Sequence, residues 1–183
     1  MVNMTHNPPS VVDEGTYSVR RTIRIAAPVE KVWAAVTEPE HISRWFGRTV
    51  LAGSGIGAEG TMTFDGYGAV PIRVEAMDAP RSVTYRWGND DALGRLPDRV
   101  EEATSTVFTF TLEPVADGTG AGAGAEVGGT ELTVVETGFE RTSDPVENMA
   151  EHAKGWVGEL DKLVALLEGE ELAAANAGAE GAA

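Results

Sequence analysis

Hydrophobic and polar residues alternate along seven segments of the chain, a pattern typical of half-buried β-strands. In the first segment, residues 17–25, Val19, Ile23 and Ile25 share one face of the predicted strand. The remaining predicted strands are 49–52, 61–65, 69–77, 82–87, 103–114 and 130–137. Because most connections between these segments are short, we predict antiparallel pairing within one sheet.

Helical spacing replaces the alternation directly after the first strand. Pro28 suits the first turn of a helix, where its missing N–H would have no partner, and Val32 and Val36 follow at a helical interval. Pro39 ends this helix, because the residue before a proline is driven out of the helical conformation. A second short helix over 40–45 follows, so the sequence predicts two short helices after the first strand.

A long amphipathic helix is predicted over 144–168. Asp144 is a suitable N-cap and Pro145 a suitable first helical residue. The apolar stripe, with intervals of three and four residues, comprises Val146, Met149, Ala153, Trp156, Leu160, Leu163 and Leu167. The helix would span roughly 37 Å, and we expect Gly155 and Gly158 to allow its close approach to the sheet. The element order predicts an α+β, helix-grip fold, with a curved antiparallel sheet of about seven strands wrapped around this helix.

The two ends of the chain and one loop have compositions that predict disorder. Residues 1–16 form a polar lead, and residues 169–183 form a tail of Ala, Gly and Glu with few other residues. One domain is therefore predicted over 17–168. The Gly- and Ala-rich segment 117–129 is predicted to be the loose tip of a hairpin.

The chain contains no cysteine and carries a formal net charge of −15. The first property excludes disulfides, thiolate zinc sites and thiol nucleophiles. The second disfavours nucleic acids and anionic membrane surfaces, whereas a basic protein partner stays open. No segment has the roughly 20 apolar residues of a membrane helix, and the first residues do not resemble a signal peptide. We therefore expect an acidic cytoplasmic protein.

Two features resemble functional motifs. Residues 55–60 match G-x-G-x-x-G, but a strand follows instead of a helix, so we predict a turn and not a nucleotide site. His41 and His152 lack the spacing of paired metal ligands, so we predict no metal and no cofactor. His152 shares a helix flank with Trp156, where it is either a hydrogen-bonded boundary residue or a polar anchor or general base.

Several charged residues have two interpretations each. Arg21 falls on the apolar face of the first strand, as either a strand-end side chain that reaches solvent or a pocket charge. Arg73 and Arg86 lie opposite the apolar residues of their strands, so we expect solvent exposure unless a bulge shifts the register. The acidic pairs at 90–91 and 101–102 lie in a polar loop, which is either solvated or a lid.

The chain resembles a known superfamily in three groups of residues: Ala27-Pro28 with Val32-Trp33, Trp45-Phe46, and Gly155-Trp156 with Leu160 and Leu163. These groups resemble the START-like, Bet v-type helix-grip (SRPBCC) superfamily and, within it, the branch homologous to the activator of the heat-shock protein 90 ATPase. The resemblance extends over about 17–168. It implies a hydrophobic pocket between sheet and helix, because members bind lipids, hormones or polyketides, and some catalyse cyclisation. The branch name implies chaperone activation.

Aromatic residues on inward faces are candidates for the wall of this pocket, with core packing as the alternative. The predicted pocket residues are Trp45, Phe64, Tyr85, Trp87, Phe110, Met149, His152, Trp156 and Leu160. We therefore predict a binding module for a small apolar or amphipathic ligand, a lipid or an aromatic metabolite, and assign no catalytic residue. One alternative is a cyclase or hydratase that uses His152 or His41 with Tyr85 or an arginine. Another is a chaperone-activator-like protein interaction, and an exposed sheet edge leaves a homodimer open.

Overall fold

The computed structural model describes residues 7–116 and 128–180. Its strands are β1 (Val11–Asp13), β2 (Ser18–Ile25), β3 (Arg48–Ala52), β4 (Glu59–Phe64), β5 (Gly68–Asp78), β6 (Ser82–Trp87), β7 (Thr106–Val115) and β8 (Gly129–Thr137). The helices are α1 (Val29–Thr37), α2 (Pro39–Ile42) and α3 (Pro145–Glu180). All strands belong to one antiparallel sheet in the order β1-β2-β8-β7-β6-β5-β4-β3. The predicted α+β, helix-grip architecture is therefore confirmed.

Proline positions define the two short helices. Pro28 adopts an extended conformation, and its carbonyl accepts the first helical hydrogen bond, from Val32 N–H at 3.2 Å. Glu38 leaves the helical region with φ −88° and ψ 121°, as expected for a residue that precedes a proline. Pro39 then begins α2. The predicted pair of short helices is therefore present between β2 and β3.

The long helix begins as predicted but ends later. The Asp144 carboxylate accepts a hydrogen bond from Glu147 N–H at 3.0 Å, which confirms the N-cap. The helix continues to Glu180, so the prediction that the tail after residue 168 is disordered is wrong for 169–180. Glu170 pairs with Arg44, and Glu171 pairs with Lys31. These contacts hold the extension against the α1–α2 segment.

The predicted lead also contains structure, because Val11–Asp13 pairs with β2 as an edge strand.

Arg21 fits neither of its two predicted roles. Its side chain is 2% exposed, and it donates to Asp161 Oδ1 at 2.7 Å and to Val157 O at 3.0 Å. It also donates to Pro8 O at 2.9 Å. The arginine thus joins the lead, β2 and α3, while the extent of the domain over 17–168 stays a prediction. Residues 1–6 of the predicted lead, residues 181–183 of the tail and most of the predicted hairpin tip lie outside the described residues.

Glycines act at turns and close contacts, but not where close approach of α3 was predicted. A Cβ atom added to Gly155 or Gly158 would meet no other atom within 4 Å, so neither glycine brings α3 closer to the sheet. Close approach occurs at Gly60 instead, where a Cβ atom would lie 1.8 Å from Val50 O. The first four residues of the G-x-G-x-x-G segment lie in the turn between β3 and β4, as predicted, with Gly57 at φ 90°, and its last two residues begin β4.

Candidate functional site

An open cleft lies at one end of the interface between α3 and the sheet. Its volume is about 270 Å³, and five aromatic side chains line it: Phe46, Phe64, Tyr67, Trp87 and Trp156. Gly155 lies in the wall formed by α3, where the missing side chain leaves space. We refer to this space as the aromatic cleft. Two larger surface hollows, of about 450 and 630 Å³, are lined mainly by loop and strand-end residues.

The predicted pocket residues divide into two groups. Four of them line the aromatic cleft: Phe64, Trp87, His152 and Trp156. The other five do not line it and are at most 2% exposed in the packed core: Trp45, Tyr85, Phe110, Met149 and Leu160. Trp87 and Trp156 belong to the same core, at 4% and 2% exposed, and only part of each ring reaches the cleft. The space around Trp45, Tyr85 and Phe110 is too small to hold a water molecule, with a volume of about 0 Å³. This part of the core, beneath α1 and α2, therefore has no room for a ligand, and the open space of the cleft lies beside α3.

Contacts between rings make the aromatic wall compact. The Trp156 ring centroid lies 5.5 Å from that of Phe46 and 6.0 Å from that of Trp87. Trp87 also contacts Phe64 in an edge arrangement at 6.4 Å. Offset and edge-to-face pairs at such distances are favourable beyond the area that they bury. We infer that the wall keeps its shape without a ligand.

A buried carboxylate lies beneath this wall. Glu136 on β8 is 0% exposed. It accepts hydrogen bonds from the indole N–H groups of Trp87 and Trp156, both at 2.8 Å, and from Thr106 Oγ1 at 2.7 Å. His152 Nδ1 lies 3.0 Å from both of its oxygens. The two indole N–H groups therefore bind Glu136 and are not free to orient a ligand.

His152 lies between two carboxylates. Its Nε2 is 3.1 Å from Asp91 Oδ2, but the geometry is not that of a hydrogen bond. Burial alone would lower the pKa of His152, but the charge of Glu136 and the proximity of Asp91 raise it to about 10. Burial likewise opposes the charge of Glu136, yet the imidazolium keeps the pKa of this carboxyl below its usual value. A protonated His152 has no lone pair to offer, so the geometry does not support a general base here.

The loop over 88–105 forms a wall of the cleft, because Asp90 anchors it to the start of α3. Asp90 is 7% exposed and accepts from Ser143 N at 2.7 Å and from Asn148 Nδ2 at 2.8 Å. Burial opposes its charge, but these hydrogen bonds lower its pKa. The solvated-loop interpretation is thus wrong for the pair at 90–91. It holds for the exposed pair at 101–102.

The remaining candidates lie away from the cleft. His41 is half-exposed and lies 3.2 Å from Glu38. Tyr85, its suggested catalytic partner, donates its hydroxyl to Val36 O at 2.6 Å in the core. Arg73 and Arg86 share one partner, Glu75 Oε1, at 2.6 and 2.7 Å. None of these four side chains lines the aromatic cleft, and the catalytic alternative built on them gains no support.

Four residues belong to the site without being among the predicted pocket residues: Glu136, Asp91, Tyr67 and Phe46. A signal for Glu136 was present, because the alternation of Leu132 and Val134 continues to it on the same face. Asp91 and Tyr67 lie in turns, where no periodicity applies. Burial and the nearby charge of Asp91 raise the pKa of Tyr67, whose hydroxyl donates to Asn89 Oδ1 at 2.8 Å.

Within residues 7–116 and 128–180, no three His, Asp or Glu side chains are grouped to hold a metal ion. No helix in these ranges combines the length and the apolar character needed to cross a bilayer.

Comparisons with known proteins connect this geometry to a family. Residues 26–122 match the model of the family described as "Activator of Hsp90 ATPase homolog 1-like protein". No curated protein matches the chain significantly in sequence. The chain is similar to the crystal structure of protein MLL2253 from Mesorhizobium loti, with 25% identity and a TM-score of 0.60. That match covers 82% of this chain and 96% of MLL2253.

Two further structures share the fold. DynU16, a protein in the dynemicin biosynthetic locus, is 27% identical with a TM-score of 0.60. The match covers 82% of this chain but 47% of DynU16, so this chain spans about half the length of DynU16. The Aha1 dimer from Colwellia psychrerythraea is 20% identical with a TM-score of 0.60, over 82% of this chain and 96% of that one, and supports the fold alone.

Proposed function

Because this chain belongs to the family of Activator of Hsp90 ATPase homolog 1-like proteins, we propose that it is a small-molecule binding module whose ligand occupies the aromatic cleft. One observation carries the proposal: an open volume of about 270 Å³ lies among five aromatic side chains, next to a core region that has no room for water. The place of DynU16 in a biosynthetic locus supports a small organic metabolite as the class of ligand.

The size of the cleft limits the ligand. Pockets for drug-sized molecules measure roughly 300–1,000 Å³, so a cleft of about 270 Å³ suits a molecule with one or two rings. A ligand that buries about 150 Å² of apolar surface gains about 4 kcal/mol from this burial, before the cost of association. Micromolar affinity therefore needs polar contacts as well.

Gly155 provides a test that leaves the core intact. A leucine at this position would project into the cleft, whereas Gly158 is an exposed glycine of the same helix that does not line it. Both substitutions place a good helix former in α3. We expect Gly155→Leu to lower the affinity for the neutral two-ring fluorescent probe 6-propionyl-2-dimethylaminonaphthalene at least about ten-fold, because the side chain fills the space that the probe would bury.

The matched variant Gly158→Leu should bind the probe as the unmodified chain does. Fluorescence titration measures both affinities, and circular dichroism verifies that each variant is folded. Equal affinity of the unmodified chain and Gly155→Leu would contradict a site in the cleft. Absence of probe binding to the unmodified chain would contradict an apolar binding module.

We also propose two protein partners, each with less support than the small-molecule ligand. The family description and the net charge of −15 support an interaction with a basic patch on a chaperone ATPase. Such binding should weaken steeply with salt in a pull-down.

The dimeric Aha1 and the unpaired edge of β3, where Val50 is 62% exposed, support a homodimer. Light scattering coupled to size-exclusion chromatography measures its mass.

A further inference from the structure

The ionised groups at the inner end of the aromatic cleft are not balanced in charge. His152 provides one positive charge, while Glu136 and Asp91 provide two negative charges. Glu136 is buried and already accepts from four side chains, so its charge is compensated locally. Asp91 retains 28% exposure of its side chain and lines the cleft. The three groups together therefore keep a net charge of −1, and Asp91 is the one that reaches the open volume.

Further carboxylates lie on the α3 side of the same cleft. Glu151 and Glu159 line it, and each contacts an exposed lysine: Lys154 at 3.0 Å and Lys162 at 2.7 Å. Contacts of this kind between exposed side chains contribute little. Among the described residues that line the cleft, none is a lysine or an arginine. An anionic ligand would therefore meet repulsion on two sides.

The aromatic wall suits a cation as well. Trp87 and Trp156 direct their N–H groups to Glu136, so the part of each indole that faces the cleft belongs to the ring and not to the donor. This part is small, because the two residues are 4% and 2% exposed. Tryptophan rings attract ammonium groups more strongly than other aromatic side chains. The buried Nε2 of His152 in addition has no aligned acceptor, which marks the inner end as a place for a bound polar group.

We propose that the ligand of the aromatic cleft carries a protonated or quaternary amine, which binds between Asp91 and the rings of Trp87 and Trp156. This inference rests on the proposed function, because it specifies the ligand of the same cleft. The amine supplies the positive charge that the network lacks. A hydroxyl or carbonyl oxygen next to the amine would accept a hydrogen bond from His152.

Three probes of nearly equal size separate charge from shape: 2-phenylethylamine, 2-phenylethanol and phenylacetate. We expect the amine to bind about ten-fold more tightly than the alcohol, and the carboxylate to bind more weakly than both. Nitrogen-15 NMR of the four indole N–H groups reports the location. The signals of Trp87 and Trp156 should shift, while those of Trp33 and Trp45, outside the cleft, should stay in place.

Variants test the charge directly. Asp91→Asn should weaken binding of 2-phenylethylamine about ten-fold and change binding of 2-phenylethanol less than about two-fold, since it removes charge and keeps shape. Glu113→Gln, an exposed carboxylate of β7, should change neither affinity. If the indole spectrum of Asp91→Asn indicates altered folding, Glu151→Gln and a NaCl titration of the unmodified chain replace it. Both should weaken binding of the amine alone.

The outcomes distinguish the two proposals. If 2-phenylethanol or phenylacetate binds as tightly as the amine at Trp87 and Trp156, the amine inference is overturned while the binding module stands. If none of the three probes shifts these two signals, the proposed function itself fails. Salt-independent binding of the amine would also overturn the inference.

Discussion

The aromatic cleft and the closed interior beside it use the same kinds of residues, yet only the cleft has open space. We define the closed interior as the packed region around Val36, Ile42, Trp45, Tyr85 and Phe110. There, α1 and α2 supply side chains that cover the inward face of the sheet. At the cleft, the covering helix contributes Gly155, which has no side chain. An inward aromatic residue therefore indicates a cavity only where the element above it is small or absent.

The two regions also differ in the partners of their buried polar groups. In the closed interior, Trp45 Nε1 donates to Ala35 O at 2.8 Å, and the Tyr85 hydroxyl donates to a backbone carbonyl of α1. Under the cleft, the two indole donors bind an ionised carboxylate, Glu136. Neutral donors that bind backbone carbonyls can lie inside a closed core. A buried charge, in contrast, needs an opposite charge nearby. The ionised network thus accompanies the open end.

Truncation of one phenylalanine in each region is the strongest way to test this comparison. Phe110→Ala should lower the free energy of unfolding by about 3–5 kcal/mol, because the ring is 1% exposed and leaves a cavity. Phe64→Ala, in the half-buried cleft wall, should cost about 1–2 kcal/mol, because solvent can fill the vacated space. Urea unfolding measures both values. Equal losses would mean that the cleft wall is as closed as the interior.

Removal of the Glu136 charge tests the network beneath the cleft. Glu136→Gln keeps the shape but leaves the His152 imidazolium without its buried counter-charge, so we expect a loss of about 3 kcal/mol. Glu131→Gln, a half-exposed carboxylate of the same strand, should change stability by less than about 0.5 kcal/mol. The same unfolding measurement applies to both. A loss as small as that of the control would contradict an ionised buried pair.

The fold was predictable because its long elements have strong periodicity. β5, β7, β8 and the first part of α3 repeat apolar residues over eight or more positions, and burial follows that repeat. β1 was missed because it has three residues and exposed side chains, and only its pairing with β2 holds it. The extension of α3 was missed because Arg44 and Lys31, far away in sequence, stabilise it.

The cleft was predictable only in part, and for a physical reason. Alternation places Phe64, Trp87 and Phe110 on one face of the sheet, but it does not show which of them α1 and α2 cover. The position of Asp91 depends on Asp90, which ties its loop to α3 through Asn148. Contacts of this kind join segments that are distant in sequence and leave no local pattern.

The pH dependence of stability provides the finest test, because among the described residues the buried histidine, His152, lies at the cleft end. The pKa of His152 is about 10 in the folded chain and about 6.5 when unfolded. The stabilisation by its charge is therefore complete below about pH 6.5 and is lost as pH rises towards 10. Between pH 7 and 9, this one proton lowers the free energy of unfolding by at most about 1.4 kcal/mol per pH unit.

Urea unfolding at pH 7, 8 and 9 measures this slope while Tyr67 and Tyr85 stay protonated in the folded chain, since burial raises the pKa values of both. His152→Gln should remove most of the slope, because no buried group then holds a proton that the unfolded chain has lost. His41→Gln, which changes a half-exposed histidine outside the cleft, should retain it. If the slope survives in His152→Gln, then His152 is not the cation of the network, and the charge distinction between the cleft and the closed interior fails with it.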